Sequence, residues 1–191
     1  MNREEWLNRA VQALKPLLER AGTPLTNPVS VSCGFSSTGK RSNRIGECWP
    51  RSRCATGTNQ IFISPTLDDS LAVIDTLLHE LIHAVDDCKH SHGKEFKKIA
   101  VAVGMEGPMR SCSAGDKLKT ELNVLIEKLG PYPHGALRVS QVTQERAPRP
   151  KARCDKCGFE VPMIKKYLSW GPPLCPKHRT PMLPIGEWMT G

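Results

Sequence analysis

The stretch LAVIDTLLHELIHAV, residues 71–85, contains the pattern on which the interpretation of this 191-residue sequence depends. Its apolar residues recur at the spacing of a helix, namely at Leu71, Ile74, Leu78, Leu81, Ile82 and Val85. Asp68 or Asp69 can cap the N-terminus of such a helix. The sequence therefore predicts a largely apolar helix that is buried in the protein core.

Three chemically active residues interrupt this apolar helix. His79 and His83 are four residues apart, so both imidazoles lie on one face and can bind one metal ion. Glu80 is adjacent, where its carboxylate can contact a water on that ion without being a ligand. The alternative is two ordinary histidines and a surface glutamate. That alternative is disfavoured, because a buried charge needs a functional or structural reason.

A catalytic zinc has three protein ligands and one open position, so a third ligand is expected downstream. The candidates are His90, His92 and Glu95. A second helix is predicted from about His92–Gly93 to Val103, and His92 at its entrance is the favoured ligand. His90 lies in the connecting loop, and Glu95 is more typical of a carboxylate in the first turn of a helix.

A second group of metal ligands is predicted near the C-terminus. Cys154 and Cys157 form one Cys-x-x-Cys pair, and Cys175-x-x-His178 follows after seventeen residues. This spacing is typical of a structural zinc site, although a disulfide with a free thiol is the alternative. No role is predicted for the remaining five thiols, which we interpret as buried or unreactive: Cys33, Cys48, Cys54, Cys88 and Cys112.

The remaining periodicity and composition predict an α+β protein with two folded parts. Further helices are predicted over 3–20 and 116–129, and strands over 29–32 and 60–64. We expect a core domain over 1–140, a basic linker over 141–153 and a small β zinc ribbon over 154–191. The ribbon is too short to fold without a metal or another cross-link.

The charge distribution suggests a polyanionic partner. The chain carries a net charge of +8, and residues 141–191 contain nine Lys or Arg against four Asp or Glu. Aromatic side chains beside cations suit stacking on unpaired bases. The candidate nucleic-acid-binding residues are therefore Lys151, Arg153, Lys165, Lys166, Tyr167 and Trp170. The alternatives are a solvated basic face and a Trp170 that packs in the small core.

No apolar run is long enough to span a membrane, and the N-terminus lacks the apolar segment of a secretory signal. We therefore expect a cytoplasmic protein. We also expect it to be a monomer. A cell-wall peptidase, which would need export, is disfavoured for the same reason.

Several segments resemble the SprT-like zinc metalloprotease family, which includes the DNA–protein crosslink protease Spartan. The similarity is carried by LLHELIHA (77–84) and HGKEF (92–96). IGECWP (45–50) and NQIFISP (59–65) are similar to the segment before the active helix in bacterial and phage members. The similarity continues through GPYPHGAL (130–137) and the C-terminal ribbon.

The resemblance implies a zincin-like core of helices with a small β-sheet, with zinc on His79, His83 and His92 and Glu80 as the catalytic carboxylate. It also implies association with DNA, at the nucleoid or in the host cytoplasm if the protein is phage-encoded. With the ribbon, two zinc ions are expected, one catalytic and one structural. The function expected is cleavage of DNA-bound or DNA-crosslinked proteins. The alternative is a nucleic-acid-binding or transcription-associated zinc protein with weak or no protease activity.

Two further expectations concern the surroundings of the predicted active site. Asp75, four residues before His79, is a candidate partner for an imidazole, with a solvated carboxylate as the alternative. A peptide substrate is expected to lie extended along an edge strand near residues 59–64. The sequence does not indicate which residue stabilises the oxyanion.

Overall fold

The computed structural model describes residues 1–39, 43–139 and 149–188. The chain forms two compact units, Met1–Ser140 and Gln141–Gly191. Helices and small sheets combine in an α+β architecture, which confirms the predicted fold class. None of the helices formed by the described residues is long and apolar enough to cross a membrane.

The described residues of the first unit form four α-helices: α1 (Arg3–Arg20), α2 (Ser70–Val85), α3 (Lys94–Val103) and α4 (Asp116–Leu129). Helix α1 begins with a capping box, in which Asn2 accepts from the backbone N–H of Glu5 and the Glu5 carboxylate accepts from that of Asn2. Its apolar face is buried in the core: Trp6, Leu7, Ala10, Val11, Leu14, Leu17 and Leu18. The predicted helices over 3–20 and 116–129 are confirmed.

Helix α2 is the central element of this unit and packs against α1, α3, α4 and the sheet. Its N-cap is Asp69, whose side chain accepts a hydrogen bond from the backbone N–H of Ala72 at 2.8 Å. The helix is buried around most of its circumference, because its sequence is apolar on nearly every face. Its few polar side chains are therefore held in an apolar environment.

The sheet of the first unit contains β1 (Val29–Cys33), β2 (Gly46–Trp49) and β3 (Asn59–Ile63). The order is β1-β3-β2, with β1 parallel and β2 antiparallel to β3. The expectation that residues 59–64 form an edge strand is wrong, because β3 pairs on both sides. The edge strand beside α2 is β2, which the sequence did not predict. A second, two-stranded sheet pairs β4 (Met105–Glu106) with β5 (Ser113–Ala114).

The second unit is a three-stranded antiparallel sheet of β6 (Lys151–Arg153), β7 (Glu160–Pro162) and β8 (Leu183–Ile185), in the order β7-β6-β8. A short 3₁₀ helix, Lys165–Trp170, lies between β7 and β8. The central strand β6 includes the last three residues of the predicted linker, because Ala152 is fully buried between two exposed basic residues. Residues 141–148 of that linker lie outside the described residues.

Trp6 provides a test of how the first unit is held together. It is fully buried, its ring packs edge-on against Tyr132 at a centroid distance of 5.1 Å, and Nε1 donates to the Gly130 carbonyl at 2.8 Å. We expect Trp6→Ala to lower the free energy of unfolding of this unit by about 3–5 kcal/mol, measured by chemical denaturation with circular dichroism. Trp170→Ala is the control, since Trp170 is 81% exposed. Its unfolding free energy should stay within about 0.5 kcal/mol of wild type. Equal losses in the two variants would contradict this account.

Candidate metal centres

Three imidazoles converge at the C-terminal part of α2. His79 and His83 lie one turn apart on α2, and His92 lies directly before Gly93, the N-cap of α3. The Nε2 atom of His92 is 3.2 Å from Nε2 of His79 and 3.2 Å from Nε2 of His83. Two nitrogen ligands of a tetrahedral zinc at ~2.0–2.1 Å are ~3.3 Å apart. The three predicted histidines are therefore brought together at the separation that zinc requires.

The aromatic ring of Phe96 on α3 packs against all three imidazoles. Its centroid is 4.9 Å from that of His79, 4.4 Å from that of His83 and 5.1 Å from that of His92. Phe96 is itself 1% exposed. Because one buried ring contacts the three histidines, Phe96 contributes to the orientation of each of them.

The environment keeps these imidazoles in the form that binds metals. Burial, together with His92, lowers the pKa of His79 to about 4. Burial, together with the two other rings, lowers the pKa of His83 to about 3. The pKa of His92 is also lowered, by burial and then by Arg110 and Arg44. Neutral imidazole is the metal ligand, so all three rings are ready to bind near neutral pH.

His79 has a hydrogen-bond partner that the sequence did not indicate. The Nδ1 atom of His79 lies 3.4 Å from Sγ of Cys112, and that thiol donates to the carbonyl of Met109 at 3.5 Å. With Nε2 directed at the metal position, Nδ1 carries the proton and donates to the sulfur. Cys112 lies in a loop, 33 residues after His79 in the sequence. No periodicity or spacing along the chain could therefore have identified it as the partner of His79.

Asp75, the predicted partner of an imidazole, has a different role. Its Oδ1 atom accepts a hydrogen bond from the backbone N–H of Ala114 at 2.9 Å. Burial raises the pKa of this carboxyl, while the Ala114 hydrogen bond opposes that rise. Asp75 thus holds β5 beside α2, and β5 begins at the residue after Cys112.

Glu80 is buried beside the three imidazoles and lies against the edge strand β2. It is 6% exposed, and a Cβ atom placed on Gly46 would lie 2.5 Å from its Oε1 atom. Burial and then the charge of Glu47 raise the pKa of Glu80 to about 8, although Arg44 and then the backbone N–H of Cys48 oppose this rise. Because a side chain at position 46 would collide with this carboxyl, glycine is required there for the close approach of β2.

The three histidines and Glu80 line a cleft of about 290 Å³. Three residues of β2, Gly46, Glu47 and Cys48, also line this cleft, together with the cations Arg44 and Arg110. Glu47 accepts from the backbone N–H and the hydroxyl of Ser37, both at 2.7 Å, and from Nε1 of Trp49 at 3.0 Å. It also forms an ion pair with Arg44. Although burial raises the pKa of Glu47, its hydrogen bonds lower it overall, so this residue remains an anion.

The other candidates for a third ligand lie outside the histidine cluster. His90 pairs with the carboxylate of Asp86, with Nδ1 and Oδ2 2.9 Å apart. Glu95 is exposed in the first turn of α3, where a carboxylate favours the helix terminus. Neither residue belongs to the donor groups that lie close enough together for a metal.

The second unit brings together the four predicted donors Cys154, Cys157, Cys175 and His178. Nδ1 of His178 is 3.5 Å from Sγ of Cys154 and 3.7 Å from Sγ of Cys175, and the Sγ atoms of Cys157 and Cys175 are 3.7 Å apart. Zinc–sulfur bonds of ~2.3 Å place tetrahedral ligands ~3.6–3.8 Å apart. The four donors fit a closed structural zinc site, and these cysteines are free thiols here rather than a disulfide.

The predicted nucleic-acid-binding residues occupy two places in the second unit. Lys165, Lys166, Tyr167 and Trp170 share the short 3₁₀ helix, where the two aromatic centroids are 4.8 Å apart and Nζ of Lys166 is 5.5 Å from the Tyr167 ring. Trp170 is 81% exposed, so it does not pack in the small core. Lys151 and Arg153 lie on β6, and Lys151 pairs with Glu160 at 3.1 Å.

A helix carrying His-Glu-x-x-His, packed on a small sheet with a third histidine at the next helix, defines an α+β protein with a candidate metal site. The model of the SprT-like family matches residues 14–117, more than half of the chain. The chain belongs to the SprT-like family, which is associated with zinc metalloprotease-like function. The match ends before residues 130–137 and the C-terminal unit. No curated protein and no solved structure matches the chain.

Cys112 should act by positioning His79. We expect Cys112→Ala to weaken zinc binding at the histidine site by about 10–100-fold, because His79 loses the partner of its Nδ1–H. Zinc affinity would be measured by competition with a chromophoric chelator. Cys112→Ser retains a hydroxyl that can accept from Nδ1 and should recover most of the affinity.

Cys54→Ala is the matched control for this measurement. The Cys54 thiol interacts with Thr56 and Gln60, so its removal should leave zinc affinity at the histidine site unchanged. Unchanged zinc affinity in Cys112→Ala would show that the thiol only fills space.

Proposed function

We propose that this protein is a DNA-associated zinc endopeptidase that cleaves DNA-bound or DNA-crosslinked proteins. The observation that supports this most strongly is the group of three imidazole nitrogens at zinc-ligand separation, next to a buried carboxyl in an open cleft. We assign one zinc to His79, His83 and His92, since three protein ligands would leave one coordination position open for water or substrate. A second zinc is assigned to the closed Cys₃His set of the C-terminal unit.

Peptide hydrolysis assigns a proton-transfer role to Glu80. When bound, zinc would polarise the scissile carbonyl and lower the pKa of a water molecule. Glu80 accepts the proton of the attacking water and then donates it to the leaving amine. Gly46 allows the edge strand to press against this carboxyl and limit its rotamers.

A peptide substrate would bind along β2. Among the residues that the structure describes, this strand pairs only with β3, and its residues Gly46, Glu47 and Cys48 line the cleft. An extended peptide could add to that edge through main-chain hydrogen bonds, so that its carbonyls pass close to Glu80 and the histidines. Main-chain recognition of this kind suits a protease that accepts many protein sequences.

The association with DNA would come from the second unit. Its exposed cations include Lys165, Lys166, Lys177 and Arg179, and Trp170 presents nearly its whole indole to solvent. Tyr167 and Trp170, whose rings contact at a tilt beside two lysines, favour single-stranded or unpaired nucleic acid, where bases can stack on the rings. Such a site would bring the protease to proteins held on damaged or unwound DNA.

Glu80→Gln tests the chemical step. Glutamine keeps the shape but loses the basic oxygen, so cleavage of a DNA-bound protein should fall by at least ~10²–10⁴. Zinc content, DNA affinity and melting temperature should stay close to those of wild type. Cleavage would be followed by gel electrophoresis with a DNA-binding protein as substrate, with and without single- and double-stranded DNA.

Glu95→Gln is the matched control, because Glu95 is an exposed glutamate on α3 and should be dispensable. If Glu80→Gln cleaves as fast as wild type, the activity arises elsewhere. The alternative, a nucleic-acid-binding protein with little protease activity, would then be favoured.

Trp170→Ala tests the DNA interface. Loss of one stacked base is worth about 1–3 kcal/mol, so affinity for single-stranded DNA should fall by about 5–150-fold, measured by fluorescence anisotropy. Phe159→Ala is the control in the same unit, since Phe159 is 46% exposed but lies outside the 3₁₀ helix. Equal affinities for wild type and Trp170→Ala would place the DNA-binding surface elsewhere.

A further inference from the structure

A pair of thiols lies in the cleft outside both donor sets. Cys48 is on the edge strand β2, and Cys88 is in the loop that follows α2. Their Sγ atoms are 3.4 Å apart, and Sγ of Cys88 is 3.6 Å from the carbonyl oxygen of Cys48. Both residues are partly exposed and line the cleft with the histidines and Glu80. Two residues 40 positions apart in the sequence are thus in sulfur–sulfur contact at the candidate active site.

The loop that carries Cys88 has an unusual backbone. Asp87, Cys88 and Ser91 have φ values of 57°, 60° and 47°, in the left-handed region that costs free energy for residues other than glycine. Asp87 fixes the loop, since its Oδ1 atom accepts from the backbone N–H of Arg51 at 2.8 Å and from Nδ2 of Asn59 at 2.9 Å. These contacts place the Cys88 thiol against Cys48.

We propose that Cys48 and Cys88 form a redox-active dithiol that reacts with low-molecular-weight disulfides, and that the resulting Cys48–Cys88 disulfide lowers cleavage. The effect on cleavage depends on the proposed protease function, whereas formation of the bond does not. A disulfide requires an S–S distance of ~2.05 Å, so the two sulfur atoms must approach by roughly 1.4 Å. Cys88 lies outside α2 and α3, so rotation of its side chain with a small local backbone adjustment can supply this displacement without breaking either helix.

The reaction balances as two thiol–disulfide exchanges. The Cys88 thiolate attacks one sulfur of the external disulfide, which forms a mixed disulfide and releases one thiol. The Cys48 thiol then loses its proton and attacks the Cys88 sulfur, which forms the Cys48–Cys88 bond and releases a second thiol. The protein loses two protons and two electrons, and the external disulfide is reduced to two thiols. The contact with Cys88 and burial raise the pKa of Cys48, which favours Cys48 as the thiol that reacts second.

The bond would affect the cleft directly. It would tie β2, the proposed substrate-binding edge, to the loop between His83 and His92. A cleft bridged at Cys48 cannot widen to admit a chain beside that strand. Reduction of the bond would restore access, so the effect should be reversible.

The experiment uses the full-length zinc-loaded protein in glutathione buffers of graded ratio. Peptide mapping by mass spectrometry would detect a cross-linked peptide containing Cys48 and Cys88, and cleavage would be measured in the same samples. We expect the cross-linked peptide to appear as the oxidised fraction rises, cleavage to fall at least fivefold in parallel, and both to reverse with reductant. Cys88→Ser should lack the cross-link and show equal cleavage in oxidising and reducing buffers. Cys54→Ser, the matched control, should behave as wild type.

The possible outcomes test separately the disulfide, its effect on cleavage and the protease function. Absence of the cross-linked peptide in wild type would overturn the proposal, whatever the activity. Equal cleavage by the oxidised and reduced wild-type protein would overturn the regulatory effect. If the protein has no protease activity at all, the proposed function fails, but the peptide map still decides whether the dithiol exists.

Discussion

The packing of three imidazoles on the buried ring of Phe96 is the contact on which the histidine site depends. Helix periodicity places His79 and His83 together without further help, because residues four apart share a face. His92 must come from another element, and eight residues separate it from His83. The chain reverses within that short loop, using three left-handed residues, and Phe96 on α3 then meets all three rings. A displacement of α3 would therefore disturb every ligand at once.

The edge strand β2 lines the cleft and also lies directly against Glu80. Gly46 lets the backbone of β2 approach Glu80. Burial, and then the charge of Glu47, which Ser37 and Trp49 hold as an anion, raise the pKa of that carboxyl. The strand that would bind substrate thus also sets the environment of the proposed proton-transfer group. Any movement of β2, including one caused by a bond to Cys88, would change substrate access and the chemistry of Glu80 together.

The helices and the metal donors could be predicted from sequence because their signals are local and periodic. Histidines at i and i+4 on an apolar helix, and Cys-x-x-Cys pairs, are recognisable without knowledge of the fold. The strand β2 was missed because it lies in a segment rich in Gly, Pro, Ser and Thr, and it is a strand only because β3 pairs with it. Cys112 and the Cys48–Cys88 pair were missed for a related reason. They meet their partners through long-range contacts that leave no pattern along the chain.

The two donor sets differ in what a metal would contribute to each unit. The first unit has an extensive apolar core from α1 through α4, so its fold does not need an ion, and zinc there would serve chemistry. Among the described residues of the second unit, the fully enclosed core consists of Ala152, Cys154, Cys175 and Met182, and two of these four are metal donors. So small a core cannot offset the entropy of ordering the unit, and metal binding would supply the folding free energy. If the proposed function holds, zinc would thus take part in the reaction in the first unit and would be required for folding in the second.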